Sequence, residues 1–443
     1  MSSTENPRRY RRRLDLLVAA AAVALFTVAA LVGHAVENRD GTLRLRWPPL
    51  YAYWEPHLGP GTPAALVVAA LIVVYGPSAA RRLRWRQLLW GSWVASLAWV
   101  WSLALVDGWD RGVARRLTTK YEYLQSVGEV DDIGAMLRGF TGRILMDSPD
   151  NWPAHVAGHP PGALLTFVGL DRVGLGGGAW AAVLCILVGA SAATAVLVTV
   201  RALGDEENAR RAAPFLVLAP AAVWIGVSAD GYFAGVGAWA TALLALAATR
   251  RCARWQLAAV GSGVLFGWTM YLSYGLGLLV VLALAVLFAA REWRPIPWVL
   301  LGALPWVAVF TAAGFWWYEG YSTLVERYYQ GAAGVRPYVY YVWANLAAQV
   351  AVLGLATVAG LRRATGREAR RGPLVVLLAA GLLMVLAADL SGMSKAETER
   401  IWLPFAMWLI PAAALLPSRD HRWWLGAQAV LALTVNHLFV TGW

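Results

Sequence analysis

Glu122 stands between Tyr121 and Tyr123 in a charged stretch, and further along it His155 and His159 lead into Pro160-Pro161-Gly162. Asp131 and Asp132 fall between them, and Arg138 follows. Much later come Ser228-Ala229-Asp230, and then Lys395, Glu397, Glu399 and Arg400 within SKAETER. A carboxylate held between aromatic rings at bilayer-interface depth is partly desolvated, which suits a general base. Arg400 is the natural clamp for a phosphate, with Lys395 and Arg138 as further cations. A neutral His155 or His159 offers one donor and one acceptor to a sugar or phosphate. The chemistry these types serve is displacement at a phosphate ester: a base takes the proton of an incoming hydroxyl, and a cation stabilises the phosphate that leaves.

Each residue also has a plainer role. Asp131 and Asp132 open a helical pattern, where carboxylates favour a helix N-terminus, so at least one is expected to cap. The base is then Glu122, Asp131 or Asp132. Ser228 and Asp230 precede an apolar run and suit a helix start as well as a substrate contact. Glu397 or Glu399 can pair with the two nearby cations, and Tyr123 and Glu397 complete the candidate substrate contacts. His155 and His159 are four apart, but Pro153 and Pro160-Pro161 argue against a helix through them. No metal site is therefore expected, and dependence on a divalent cation is left open. The aromatic residues of 316–329 suit either stacking on sugar rings or an interfacial belt.

The elements that position these residues are transmembrane helices. The chain has 443 residues, 59% hydrophobic and only 14% charged, against roughly 25% charged in ordinary soluble domains. The fold class expected is all-α, a polytopic helix bundle. Apolar runs fall at about 14–33, 63–77, 87–106, 179–200, 212–229, 231–249, 257–273, 275–290, 296–313, 341–360, 373–390, 401–416 and 424–441, which gives thirteen expected spans. Basic clusters at 7–13, 81–86, 250–254, 291–294 and 361–371 mark one side as cytoplasmic, and this positive-inside pattern accounts for the net charge of +12 without a nucleic-acid partner. The N-terminus is placed inside, with 160–171 interfacial or re-entrant rather than crossing. The organisation expected is a basic cytoplasmic segment 1–13, spans in 14–106, an extracytoplasmic loop with interfacial helices at 107–160, and a helix bundle at 161–443. The basic start and the apolar run after it read as a retained signal anchor. Cys185 and Cys252 imply no disulfide framework. Arginine outnumbers lysine heavily, Lys120 and Lys395 being the only lysines, which reads as high-GC bacterial coding and hence a bacterial plasma membrane.

A long outer loop with a carboxylate beside a tyrosine (YEYL), His-Pro-Pro opening a hydrophobic helix, Ser-x-Asp between two later spans, and ERIWLP heading a late span occur in this order. The chain resembles, over roughly 87–416, the GT-C superfamily of polytopic glycosyltransferases, which includes protein O-mannosyltransferases, aminoarabinose transferases and actinobacterial arabinosyltransferases. The resemblance implies inverting transfer from a polyprenyl-phosphate sugar to a glycan, lipid or protein acceptor of the cell envelope, on the extracytoplasmic face. It also implies a carboxylate of the first large outer loop as base. Glu122 stands where that family usually has Asp or Asp-Glu, and an extra pair of spans precedes the loop. The rival class is a transporter or flippase of a lipid-linked substrate. That class places its polar residues on broken helices near the midplane, often in repeated halves.

Overall fold

The computed structural model describes residues 7–366 and 372–441. Residues 1–6 of the basic N-terminus and 367–371 of the LRRATGREARR run lie outside them. The helices, in chain order, are α1 (Pro7–Asp40), α2 (Thr62–Arg82), α3 (Trp85–Ala104), α4 (Ile133–Gly139), α5 (Ala154–Ala157), α6 (Pro161–Arg172) and α7 (Gly178–Ala202). There follow α8 (Glu206–Val217), α9 (Ala222–Ile225), α10 (Ala229–Ala248), α11 (Trp255–Leu272), α12 (Leu279–Ala290), α13 (Ile296–Ala312) and α14 (Trp317–Gln330). The last are α15 (Tyr338–Leu353), α16 (Leu355–Ala364), α17 (Pro373–Leu390), α18 (Thr398–Ile401), α19 (Leu403–Ala406) and α20 (His421–Leu438). Two short strands, β1 (Ala52–Trp54) and β2 (Phe439–Thr441), pair antiparallel and tie the chain's end to the segment after α1. The fold class is all-α.

Among the described residues six helices are long and apolar enough to cross a membrane, or eight if each of two bent pairs is one span, against the thirteen expected. The difference has identifiable causes in the backbone. The expected span 212–229 breaks after Val217: Pro220 has no N–H to continue a helix, and Ser228 caps a new one. The span 341–360 turns by 106° between α15 and α16, where Gly354 takes φ +76, a conformation that L side chains adopt only under strain. The span 401–416 becomes α18, α19 and a 3₁₀ helix at Ile410–Leu415. Its residues Pro404 and Pro411 interrupt hydrogen bonding. α6, after the prolines, has 12 residues, about 18 Å of helix against the ~30 Å of a hydrocarbon core.

The core centres on α7, α10 and α11. α10 is rich in Ala and Gly and buried nearly all round, so its backbone approaches α7 closely, Gly235 lying directly against the backbone of Val188. α11 and α13 meet in the same way through Gly263 and Gly302. The 107–160 segment departs from the expected pair of interfacial helices. Its first half is a run of short turns, including 3₁₀ turns at Tyr123–Gln125 and Val127–Glu129, and only its second half supplies α4. Its apolar residues Tyr123, Val130, Met136, Leu137 and Phe140 are nevertheless buried against the bundle.

The basic connections gather at one end of the bundle. Asp15 binds Arg362 and Arg363 at 2.5–3.1 Å, Arg210 donates to the carbonyls of Ala80 and Leu83, and Arg211 donates to that of Leu416. α10 runs from Ala229, with Asp230 in its first turn, to Ala248, where Arg250 and Arg251 follow. Its 20 residues separate the two ends by about 30 Å.

Candidate functional site

Four separated chain segments bring ionisable side chains together at the end remote from the basic connections. A turn closed by the amide of Glu122 donating to Thr119 O presents Glu122. α5, held by the amide of His155 donating to Tyr121 O, presents His155. The first turn of α10 presents Asp230, and α18 presents Arg400 just after Ala396 and Glu397, both at positive φ.

The contacts run as a chain. Glu122 Oε1 lies 3.0 Å from His155 Nδ1. His155 Nε2 lies 3.3 Å from Arg400 Nη2. Arg400 Nη1 donates to Asp230 Oδ2 at 2.5 Å and Nη2 to Glu397 Oε2 at 3.2 Å. Arg336 Nη1 stands 3.9 Å from the other Glu397 oxygen. Glu122, His155, Asp230 and Arg400 are 4%, 8%, 3% and 4% exposed, while Glu397 is partly open and marks the solvent edge.

A guanidinium has only donors, so His155 Nε2 faces Arg400 as the accepting nitrogen, and Nδ1 lies toward the Glu122 carboxylate at 3.0 Å. With Nε2 held by Arg400, His155 orients Glu122 and is not itself disposed as a base. Glu122 Oε2 and Tyr123 Oη are buried polar atoms with no hydrogen-bond partner among the described residues. Buried polar groups are nearly always partnered, so these two atoms are hydrogen-bonding capacity that the fold leaves unused. Burial raises the Tyr123 phenol well above its ordinary pKa, with Asp230 and Glu122 adding to the effect, so it stays protonated and can donate.

Of the residues expected at the site, Glu122, His155, Asp230, Arg400 and Glu397 meet, with Tyr123 beside them. Asp132 does not: it is exposed and caps α4, accepting from the amides of Gly134 and Ala135 at 2.7 and 3.1 Å, which hold its pKa below the ordinary value. Asp131 is exposed beside it, its carbonyl accepting from Arg172. Arg138 is exposed on α4, packed by Gly314. Lys395 turns into the adjoining loop, donating to Ala333 O at 3.0 Å with its ammonium over the Tyr329 ring. Ser228 caps α10, accepting from the Gly231 amide at 3.1 Å. His159 braces the wall: Nδ1 contacts His155 O at 2.8 Å, and the ring packs between Tyr123 and Phe233. Burial takes its pKa down to about 4, so it is neutral. Among the described residues no three His, Cys, Asp or Glu side chains gather as metal ligands.

One residue escaped the sequence reading. Arg336 is buried and braces the site from outside, donating to Leu43 O at 3.0 Å and Lys395 O at 2.7 Å. Its only signal was a charge directly before Pro337 in the connection between α14 and α15. Of the two carboxylates expected to pair with the nearby cations, Glu397 does so with Arg400 and Glu399 does not. Glu399 accepts from the Tyr51 amide at 2.7 Å, and burial pushes its pKa up to about 7. Compared with protein-family models and with curated proteins, the chain matches none of either.

Proposed function

We propose that this chain is a multi-pass glycosyltransferase of the GT-C kind in a bacterial plasma membrane. It transfers a sugar, with inversion, from a polyprenyl-phosphate donor to a cell-envelope acceptor at the extracytoplasmic face, with the N-terminus cytoplasmic. The observation that carries the reading is the buried Glu122, oriented by His155, with one carboxylate oxygen unpaired and the Tyr123 hydroxyl beside it. Glu122 takes the proton of the acceptor hydroxyl as the new bond to the sugar carbon forms and the bond to the phosphate oxygen breaks. Arg400 is neutralised by Asp230 and Glu397. Arg336, 3.9 Å from Glu397, is a second cation at this end, and these two guanidiniums are the groups assigned to stabilise the departing phosphate.

A transport reading draws on one specific feature: Asp230 opens a helix after a broken span. The two readings part on turnover. Purified protein is offered radiolabelled polyprenyl-phosphate sugars with lipid and glycan acceptors, beside Glu122→Gln and Asp131→Asn. Loss of about 10²- to 10⁴-fold in Glu122→Gln, with Asp131→Asn near wild type, is the expected result. Equal transfer by Glu122→Gln sinks the base assignment, and no transfer across the panel by folded protein favours transport.

A further inference from the structure

At the basic end, remote from Glu122, two cavities adjoin and share Ala289 and Arg291. The first, of about 500 Å³, lies where α7, α10 and α12 all end, and its charged lining is Arg250, Arg251, Arg291 and Glu292. The second, of about 350 Å³, runs between α12 and the start of α17, lined by Phe288, Trp293, Pro373 and Val376. Three guanidiniums against one carboxylate leave the first cavity positive. Cations at helix C-termini often serve only to cap carbonyls. Here the capping is done by backbone amides: those of Arg250 and Arg251 donate to Ala247 O and Leu246 O, and those of Arg291 and Glu292 to Phe288 O and Leu287 O. The side chains are thus left to face the cavity. Arg250 pairs with Glu292 at 3.3 Å and rests over the Trp255 ring, while Arg251 and Arg291 are exposed with no ion-pair partner among the described residues.

Beside this positive hollow, Phe288 and Trp293 are large apolar side chains left exposed, and they line the second cavity. A trench with a cationic end and an apolar end matches one ligand chemistry, a phosphate esterified to a hydrocarbon chain. Free phosphate has no use for the apolar end. We propose that these two cavities form a binding site for an anionic glycerophospholipid, its phosphate held by Arg251 and Arg291 and the start of an acyl chain lying along Phe288, Trp293 and Val376. The site is separate from the Glu122 cluster and independent of the chemistry assigned there.

The test uses the full chain, purified and placed in phosphatidylcholine nanodiscs, with phosphatidylglycerol, phosphatidylcholine and inorganic phosphate as probes. Binding is read by native mass spectrometry. The variants are Arg251→Gln with Arg291→Asn, Asn being tolerated at the positive φ of residue 291, and separately Trp293→Ala. Selective retention of phosphatidylglycerol over phosphatidylcholine is expected. It should weaken about thirtyfold in the double arginine variant, at roughly fivefold per lost cation near a membrane surface. Weakening in Trp293→Ala as well supports the bipartite site. Equal retention of both lipids overturns the proposal, as does phosphatidylglycerol binding unchanged in the arginine variant. Inorganic phosphate displacing the lipid at comparable concentration overturns it too, since that describes a soluble-anion site. All variants lie on exposed positions, and an unchanged melting curve in phosphatidylcholine confirms that they fold.

Discussion

Replacing Arg400 with methionine, Asp230 with asparagine, and both together tests whether the buried cluster is held by the contact between them. The pair is 2.5 Å apart and both side chains are about 5% exposed. Two unit charges ~4 Å apart at an effective dielectric of 20 attract by about 4 kcal/mol. Asp230→Asn forfeits that attraction. It leaves Arg400 with Glu397 at 3.2 Å and His155 at 3.3 Å, and it removes repulsion between Asp230 and the other carboxylates. A net cost of about 1–3 kcal/mol follows. Arg400→Met is worse, because Asp230 loses its guanidinium partner and Glu397 keeps only Arg336 at 3.9 Å, and breaking a buried pair from one side costs about 3–5 kcal/mol. The double variant should cost no more than Arg400→Met alone, so the coupling energy comes out near 2 kcal/mol or above. Equilibrium unfolding in mixed micelles gives the four free energies. If the two single costs add to within about 0.5 kcal/mol, the contact carries no stability and the cluster is not organised as described.

The burial of Glu399 predicts a pH dependence. Its folded pKa of about 7 exceeds the unfolded value of about 4.3, so the folded chain holds an extra proton between those values. Stability is full below the lower one, falls as pH rises through the window by up to about 4 kcal/mol, and is flat above it. Glu399→Gln keeps an acceptor for the Tyr51 amide and should flatten the melting temperature between pH 5 and 8; an unchanged slope refutes the assignment. Gly354→Ala puts a Cβ against the Gln428 side chain at a backbone φ of +76. It should destabilise by about 1–3 kcal/mol in the same unfolding assay, whereas a neutral result means that the 106° bend is not fixed there.

Glu122, His155, Asp230, Glu397 and Arg400 were legible because they are polar residues in connections between the apolar runs of the chain, where each charge needs a partner. Their mutual pairing was not legible, since Glu122 and Arg400 come from distant parts of the sequence and no periodicity links them. Asp131, Asp132, Arg138 and Lys395 have the right residue types but are spent on caps, solvent and loop bracing. Glu399 illustrates the same limit: its partner is a backbone amide at Tyr51, which leaves no trace in residue type. The helix breaks were visible as prolines and glycines, yet the apolar windows around them averaged those residues away.

Those breaks decide where the charges can sit. A helix continuous from 212 to 248 would place Asp230 mid-span, with its carboxylate in the least hospitable part of the bundle. The interruption after Val217 makes Asp230 a first-turn residue instead, where unpaired amides and the helix dipole favour a negative charge. Arg400 sits in a four-residue helix also entered from a turn, Ala396-Glu397 at positive φ, and is buried there. It is the carboxylates of Asp230 and Glu397 that hold it there. The interrupted spans are thus what lets five ionisable groups share a buried end of an apolar bundle, and Glu122, lowered onto that end by the 107–160 segment, is oriented by a histidine that Arg400 in turn fixes.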